Sequence, residues 1–299
     1  MRTAIIDLGT NTFNILIADV DSNNFKIIHT EKEGVALGKG GIHKNIISDD
    51  AFERGIETLR RFNCVCIQYK VNRINAFGTS ALRDASNTVD FVSKVHKELG
   101  IRINIISGEK EAELIYKGVK LSYSFDNPAV IMDIGGGSTE FIFANKEGVK
   151  EMVSLDIGIS RIYEKFKISN PANPCEVKEV ENWLEKTSDN YFYNKTQEIL
   201  IGASGTFETF YELIFNDTFP KVKKCIELPI YLLSDELDKI IYSTDQQRNL
   251  NEYLIPIRKK LAPIAAIKTR WVLNKLNIKQ VFVSPYSLKE GAMLEGELV

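Results

Sequence analysis

The stretch Ile5-Ile6-Asp7-Leu8-Gly9-Thr10-Asn11-Thr12-Phe13-Asn14 aligns without a gap on Ile131-Met132-Asp133-Ile134-Gly135-Gly136-Gly137-Ser138-Thr139-Glu140. Asp7 falls on Asp133, Gly9 on Gly135, Thr12 on Ser138 and Asn14 on Glu140. Each copy is an apolar run ending in an acid, then a tight turn, a hydroxyl and a second apolar run. That pattern reads as strand–turn–strand. Backbone N–H groups exposed in such a turn bind anions, and flanking carboxylates suit a hard divalent cation. Three consecutive glycines would weaken a hairpin unless something approaches its backbone closely. Two such turns facing each other would clamp a phosphate group, so the repeat points to phosphate chemistry.

Three further segments carry reactive side chains. Thr79-Ser80-Ala81-Leu82-Arg83-Asp84 follows a strand end, where Arg83 either forks onto phosphate oxygens or forms a surface pair with an acid. The helix after Ser107-Gly108 holds Glu109, Glu111 and Glu113. Helical spacing puts Glu109, Glu113, Lys117 and Lys120 on one stripe, which reads as solvated. Glu111 instead shares its side with Leu114, Ile115 and Gly118, so it is either a general base or a carboxylate capping the edge of a core. Gly202-Ala203-Ser204-Gly205-Thr206 ends a strand and opens a helix, which suits an anion, a nucleotide or a plain β–α turn. Lys39, Lys44 and the run from Lys221 to Lys224 are either guides for a polyanion or ordinary solvated lysines.

These segments need a scaffold, and the pattern supplies one. Strands are expected over Thr3–Asp7, Thr12–Val20 and Lys26–Lys32. Phe52, Ile56, Leu59, Phe62, Cys66 and Tyr69 then recur at helical spacing. A strand over Arg73–Gly78, a helix over Thr88–Leu99 stopping at Gly100, a buried strand over Ile101–Ile106 and a helix over Gly108–Leu121 follow. After Ser122–Asn127 the pattern restarts, with strands over Ala129–Asp133, Thr139–Ala144 and Lys150–Leu155. Asn173-Pro174 opens a helix, Ile199–Ile201 is a strand, Pro263–Leu276 a helix and Gln280–Val283 the last strand. The expected domains are residues 1–124 and 125–299, each a mixed sheet flanked by helices, with a cleft between them and the last helix free to return to the first.

Bulk composition narrows the partners. A net charge of −2 excludes broad attraction to a nucleic-acid polymer. No apolar run reaches membrane-span length, and no signal-peptide pattern precedes the first strand. The four cysteines form no CxxC pair and read as free thiols of a reducing, cytoplasmic setting. The three scattered histidines offer no zinc cluster.

At these residues the chain resembles the exopolyphosphatase/guanosine pentaphosphate phosphohydrolase (Ppx/GppA) family of the actin-like, sugar-kinase and chaperone ATPase superfamily. The likeness runs through Asp7–Thr12, Thr79–Ala85, Ile106–Ala112, Asp133–Glu140, Gly202–Thr206 and Ser287–Ala292. It implies an α/β fold of two duplicated actin-like (ribonuclease H-like) domains. It also implies hydrolysis of terminal phosphoanhydride bonds in inorganic polyphosphate or guanosine pentaphosphate, with Mg²⁺ or another divalent cation, and a homodimer. By this resemblance Glu111 matches the base that activates water. Asn11, Arg83, Gly136, Gly137 and Ser138 match the phosphate clamp, and Asp133 and Glu140 the acids around the metal. The repeat pattern adds Thr12, Gly135 and Thr139 as phosphate candidates and Asp7 as a metal candidate, and the Gly202–Thr206 turn adds Gly205. The family usually carries two adjacent acids where this chain has Lys110-Glu111. The rival readings are an actin-like-fold kinase and a nucleotide-binding scaffold without hydrolase activity.

Overall fold

Alternation in the first phrase builds a hairpin. β1 (Arg2–Leu8) pairs antiparallel with β2 (Thr12–Asp21), which sets Asp7 opposite Asn14. The fold, from a computed structural model, covers residues 1–21, 24–188 and 191–295. β3 (Asn24–Gly34) completes an antiparallel meander. α1 (Asp49–Gln68) buries Ile56, Leu59, Phe62 and Cys66, the stripe expected from spacing. Each such fully buried side chain contributes about 1.5–3 kcal/mol. β4 (Arg73–Gly78) pairs parallel with β1, α2 (Ser80–Asp84) and α3 (Thr88–Leu99) follow, and β5 (Ile103–Ile105) pairs parallel with β4. α3 stops at Gly100, whose φ of +70° is the left-handed conformation that glycine adopts without strain. α4 (Gly108–Val119) comes next. The sheet order is β3-β2-β1-β4-β5.

The second phrase repeats the plan. β6 (Ala129–Ile134), β7 (Thr139–Asn145) and β8 (Gly148–Leu155) form an antiparallel meander that sets Asp133 opposite Glu140. α5 (Ile159–Lys165) and α6 (Pro174–Thr187) follow. Asn173 caps α6 by accepting from the backbone of Cys175 and Glu176, while Glu176 accepts from the Asn173 N–H in return. β9 (Ile199–Ala203), α7 (Gly205–Phe215), β10 (Ile226–Leu228), α8 (Ile230–Ile241), α9 (Asp245–Leu250), α10 (Pro256–Leu276) and β11 (Gln280–Val283) complete this part. The sheet order is β10-β11-β9-β6-β7-β8, with β6, β9 and β11 mutually parallel. α11 (Leu288–Leu294) is the last element.

The fold class is the expected α/β type, with two mixed sheets flanked by helices. One unit comprises residues 1–118, 135–137 and the segment from Ser287, and the other comprises 119–134 and 138–286. The glycine run therefore belongs with the first hairpin, although its flanking strands belong to the second sheet. All four cysteines are free thiols. Among the described residues no helix is long and apolar enough to cross a membrane.

Several expectations need correction. β5 is not a buried strand but a sheet edge of three residues, with Ile105 39% exposed. It bonds to β4 alone, with the Ile106 N–H adding a bond to the Gly78 carbonyl at 3.1 Å, and Ile101 and Arg102 lie outside the ladder. α10 begins at Pro256, so Pro263 lies inside it. Pro263 has no N–H to offer the Lys259 carbonyl four residues back. The Arg248 guanidinium donates to that carbonyl at 2.7 Å instead, and the helix continues. The charged stripe of α4 is solvated as expected, with Glu109 and, just past the helix, Lys120 exposed and the Glu113 and Lys117 side chains 38% and 36% exposed. Its lysine at 117 also donates to Glu295, a partner that helical spacing does not show. The helices α2, α5, α8 and α9 and the strand β10 were not anticipated, whereas the expected last helix is α11, which belongs with the first unit.

Candidate functional site

Parallel register gathers the reactive segments of the first unit. Leu8 of β1 lies beside Gly78 of β4, and Gly78 beside Ile105 of β5. The carboxyl ends of these strands lead into the Gly9–Asn11 turn, the Ser80–Asp84 helix and the start of α4. Ligands of α/β sheets bind outside such strand ends. The Gly9 N–H closes the first turn on the Thr12 carbonyl at 3.1 Å. Asn14 donates to the Asp7 carboxylate at 3.1 Å.

The glycine run meets this turn. A Cβ on Gly136 would lie 2.8 Å from both Asn11 Nδ2 and Thr10 Cβ. A Cβ on Gly137 would lie 2.3 Å from Ser80 Oγ and 2.9 Å from Thr10 Oγ1. Any side chain at either place would collide with the first turn or with α2. The run thus brings backbone against Thr10, Asn11 and Ser80, where its N–H groups can serve an anion. Ser80 was missed in the sequence, because its role appears only when the glycine run packs on it.

Arg83 and Glu111 form an ion pair. Arg83 Nη1 donates to the Glu111 carboxylate at 3.1 Å and to the Ile106 carbonyl at 3.0 Å. Glu111 is 8% exposed, consistent with its place on the apolar side of α4. The Arg83 bonds use Nη1 only, and a guanidinium has further donors at Nε and Nη2.

In the second unit the register sets two carboxylates side by side. Asp133 and Glu140 are cross-strand neighbours, and Glu140 is 1% exposed. Ser154 donates to Glu140 at 2.7 Å. Lys268 of α10 is fully buried and donates to the Thr139 hydroxyl and, at 2.7 Å, to the Ile157 carbonyl. Burial pulls this ammonium down to about 7, with the nearby Glu140 and Asp133 charges opposing the fall. Thr139 therefore faces Lys268 inside the core. Lys268 was missed, yet its signal was legible: it stands between Ile264 and Val272 on the apolar face of a helix.

The donor set suits a hard cation. Among the described residues no three His, Cys, Asp or Glu side chains gather as a ready cage. Mg²⁺ needs none, since it keeps several waters and binds through one or two carboxylates and substrate phosphate. The buried Asp133–Glu140 pair fits that demand.

Ser138 is buried beside Thr139. Gly205 opens α7 behind Ser204, whose φ is +68°. The glycine at 202 has a packing reason, because a Cβ there would fall 2.0 Å from the Phe207 ring.

Comparison with known proteins places this geometry. The model of the Ppx/GppA phosphatase family matches residues 16–298. A bifunctional 3-dehydroquinate synthase/phosphatase of Fusobacterium nucleatum is 36% identical over 219 residues, which are 69% of this chain and 33% of that protein. A guanosine-5′-triphosphate,3′-diphosphate pyrophosphatase of Pseudoalteromonas translucida is 34% identical over 215 residues, 71% of this chain and 43% of that protein. The chain thus spans less than half the length of either relative. The crystal structure of an exopolyphosphatase from Cytophaga hutchinsonii superposes with a TM-score of 0.93 at 32% identity, covering 99% of this chain and 98% of that one.

Proposed function

Because the chain belongs to the Ppx/GppA phosphatase family, we propose that it hydrolyses a terminal phosphoanhydride bond of inorganic polyphosphate or guanosine pentaphosphate. The carrying observation is the approach of Gly136 and Gly137 to Thr10, Asn11 and Ser80, in the unit that also holds the Arg83–Glu111 pair. Backbone N–H groups of the glycine run and the remaining Arg83 donors hold the terminal phosphoryl oxygens. Glu111 takes a proton from a water aligned on phosphorus. The new P–O bond forms as the bridging P–O bond breaks, and the bridging oxygen leaves with that bond's electron pair. Asp133 and Glu140 would hold Mg²⁺, which when bound supplies neutralisation of phosphate charge.

The test is phosphate release from polyphosphate, guanosine pentaphosphate and ATP by the wild type and Glu111→Gln, with Mg²⁺ and after chelation. Release from one of the first two, lost in Glu111→Gln, is the expected result. Phosphoryl transfer from ATP to a small alcohol would favour a kinase. Binding without turnover would favour a scaffold.

A further inference from the structure

The helix that carries Glu111 is gripped by the last helix of the chain at two places. At its C-terminal end the contact is backbone on backbone. A Cβ on Gly118 would lie 1.9 Å from the Ser287 carbonyl oxygen, and one on Gly291 would lie 1.9 Å from the Leu114 carbonyl oxygen. Along one face, from the first turn of α4 to the last, the contact is ionic and is made by Glu295, the cap residue of α11. Lys110 donates to Glu295 Oε1 at 2.6 Å, and Lys117, two turns further along the same face, donates to the same oxygen. Glu113 closes the ring, accepting from Lys110 at 3.0 Å and from Lys117 at 2.5 Å.

Glu295 is unlike an ordinary surface partner. Its side chain is 8% exposed, and its Oε2 is buried without a hydrogen-bond partner among the described residues. A carboxylate so placed depends on the two ammonium groups for compensation, so the pairing is held firmly. An exposed ion pair would contribute little and would hold nothing in place.

Resting on the hydrolase reading above, we infer that Glu295 is a positioning residue for the base. By fixing Lys110 and Lys117 it sets the rotation of α4 about its own axis. Lys110 and Glu111 are adjacent and about 100° apart around the helix, so that rotation aims the Glu111 carboxylate. α11 also packs against β1, the strand that ends in the first phosphate turn. The last helix thereby references the base to the turn that meets the glycine run.

The experiment compares wild type, Glu295→Ala, Glu295→Gln and the double variant Lys110→Gln/Lys117→Gln. The substrate is polyphosphate or guanosine pentaphosphate, whichever the wild type hydrolyses faster. Displacing a reacting group by about 1 Å can cost ~100-fold, so kcat should fall roughly 10- to 100-fold in Glu295→Ala, with KM within about twofold. Glu295→Gln should fall several-fold, and it decides the matter if the alanine variant does not fold. The double lysine variant should lose about as much kcat as Glu295→Ala, because it removes the same ionic grip from the side of α4. Wild-type kcat in the Glu295 variants or in the double lysine variant would overturn the inference. Amide hydrogen exchange supplies an independent readout, with faster exchange over residues 108–118 expected in Glu295→Ala and little change elsewhere. If the wild type hydrolyses neither substrate the hydrolase reading fails separately, and unchanged exchange in α4 then sinks the positioning role.

Discussion

Arg83 holds Glu111 through a single guanidinium nitrogen, 3.1 Å from the carboxylate, while the same nitrogen is tied to the Ile106 carbonyl at 3.0 Å. The acid on the apolar side of α4 is thus oriented by a cation anchored to the backbone just before its own helix. Such an arrangement fixes a carboxylate's direction without using all of the arginine's donors.

The first expectation concerns that acid. Glu111→Gln keeps the shape and removes the base, so turnover should fall by ~10²–10⁴-fold while substrate affinity is kept. Phosphate release and equilibrium binding of the variant check this. Undiminished turnover would remove Glu111 from the mechanism.

Arg83→Lys replaces a planar fork by a point charge, which loses the separate Nε and Nη2 donors that Arg83 keeps while Nη1 serves Ile106 and Glu111. A charge-assisted hydrogen bond contributes about 1.5–3 kcal/mol, so kcat/KM should drop roughly 10- to 100-fold. Steady-state kinetics on the better substrate measures it, and a value equal to wild type would mean that Arg83 does not touch the phosphate.

Gly137→Ala should disrupt the meeting of the two turns, because the added methyl would fall 2.3 Å from Ser80 Oγ. Overpacking of this kind costs about 1–3 kcal/mol. Urea unfolding should show the loss, and adding Ser80→Gly should restore part of it. No recovery in the double variant would place the strain elsewhere.

Asp133→Asn removes one charge of the cross-strand pair, so the Mg²⁺ concentration needed for half-maximal phosphate release should rise about tenfold or more, the cost of roughly one ligand charge. A metal titration of the variant decides it. An unchanged midpoint would take Asp133 out of the metal site.

Lys268 makes stability depend on pH. Its folded value lies at about 7 against 10.5 for a free lysine. Between those limits the unfolded chain binds the proton and the folded chain does not, so stability rises with pH across that window. Below about 7 both states carry the proton and this slope vanishes. Chelated wild type should therefore gain on the order of a few kcal/mol from pH 7 to 10, relative to Lys268→Met. Denaturant unfolding at several pH values checks it, and parallel profiles for the two proteins would refute it.

Much of this was legible without coordinates. The hairpins of the repeat, the stripe of α1, the stop at Gly100 and the Asn173 cap are local patterns, and local patterns follow from dihedral preference and side-chain period. The apolar-side placement of Glu111 came from helical phase alone. The misreadings have equally physical causes. The start of α10 was hidden because Pro263 reads as a helix opening, and only Arg248 shows how the orphaned carbonyl is satisfied. The edge position of β5 depends on which strand pairs with which, and the residues of β5 do not encode that by themselves.

By itself, the chain's residue order determined two copies of one strand–turn–strand, the acids and glycines in them, and a helix that turns one carboxylate inward. Only the tertiary structure decided that β4 lies between β1 and β5, that Gly137 packs on Ser80, and that Thr139 serves Lys268. It alone joined Lys110 to Glu295 across 185 residues. The division has one reason: periodicity and turn chemistry act over a few neighbouring residues, whereas register and close packing join residues that no short-range pattern links.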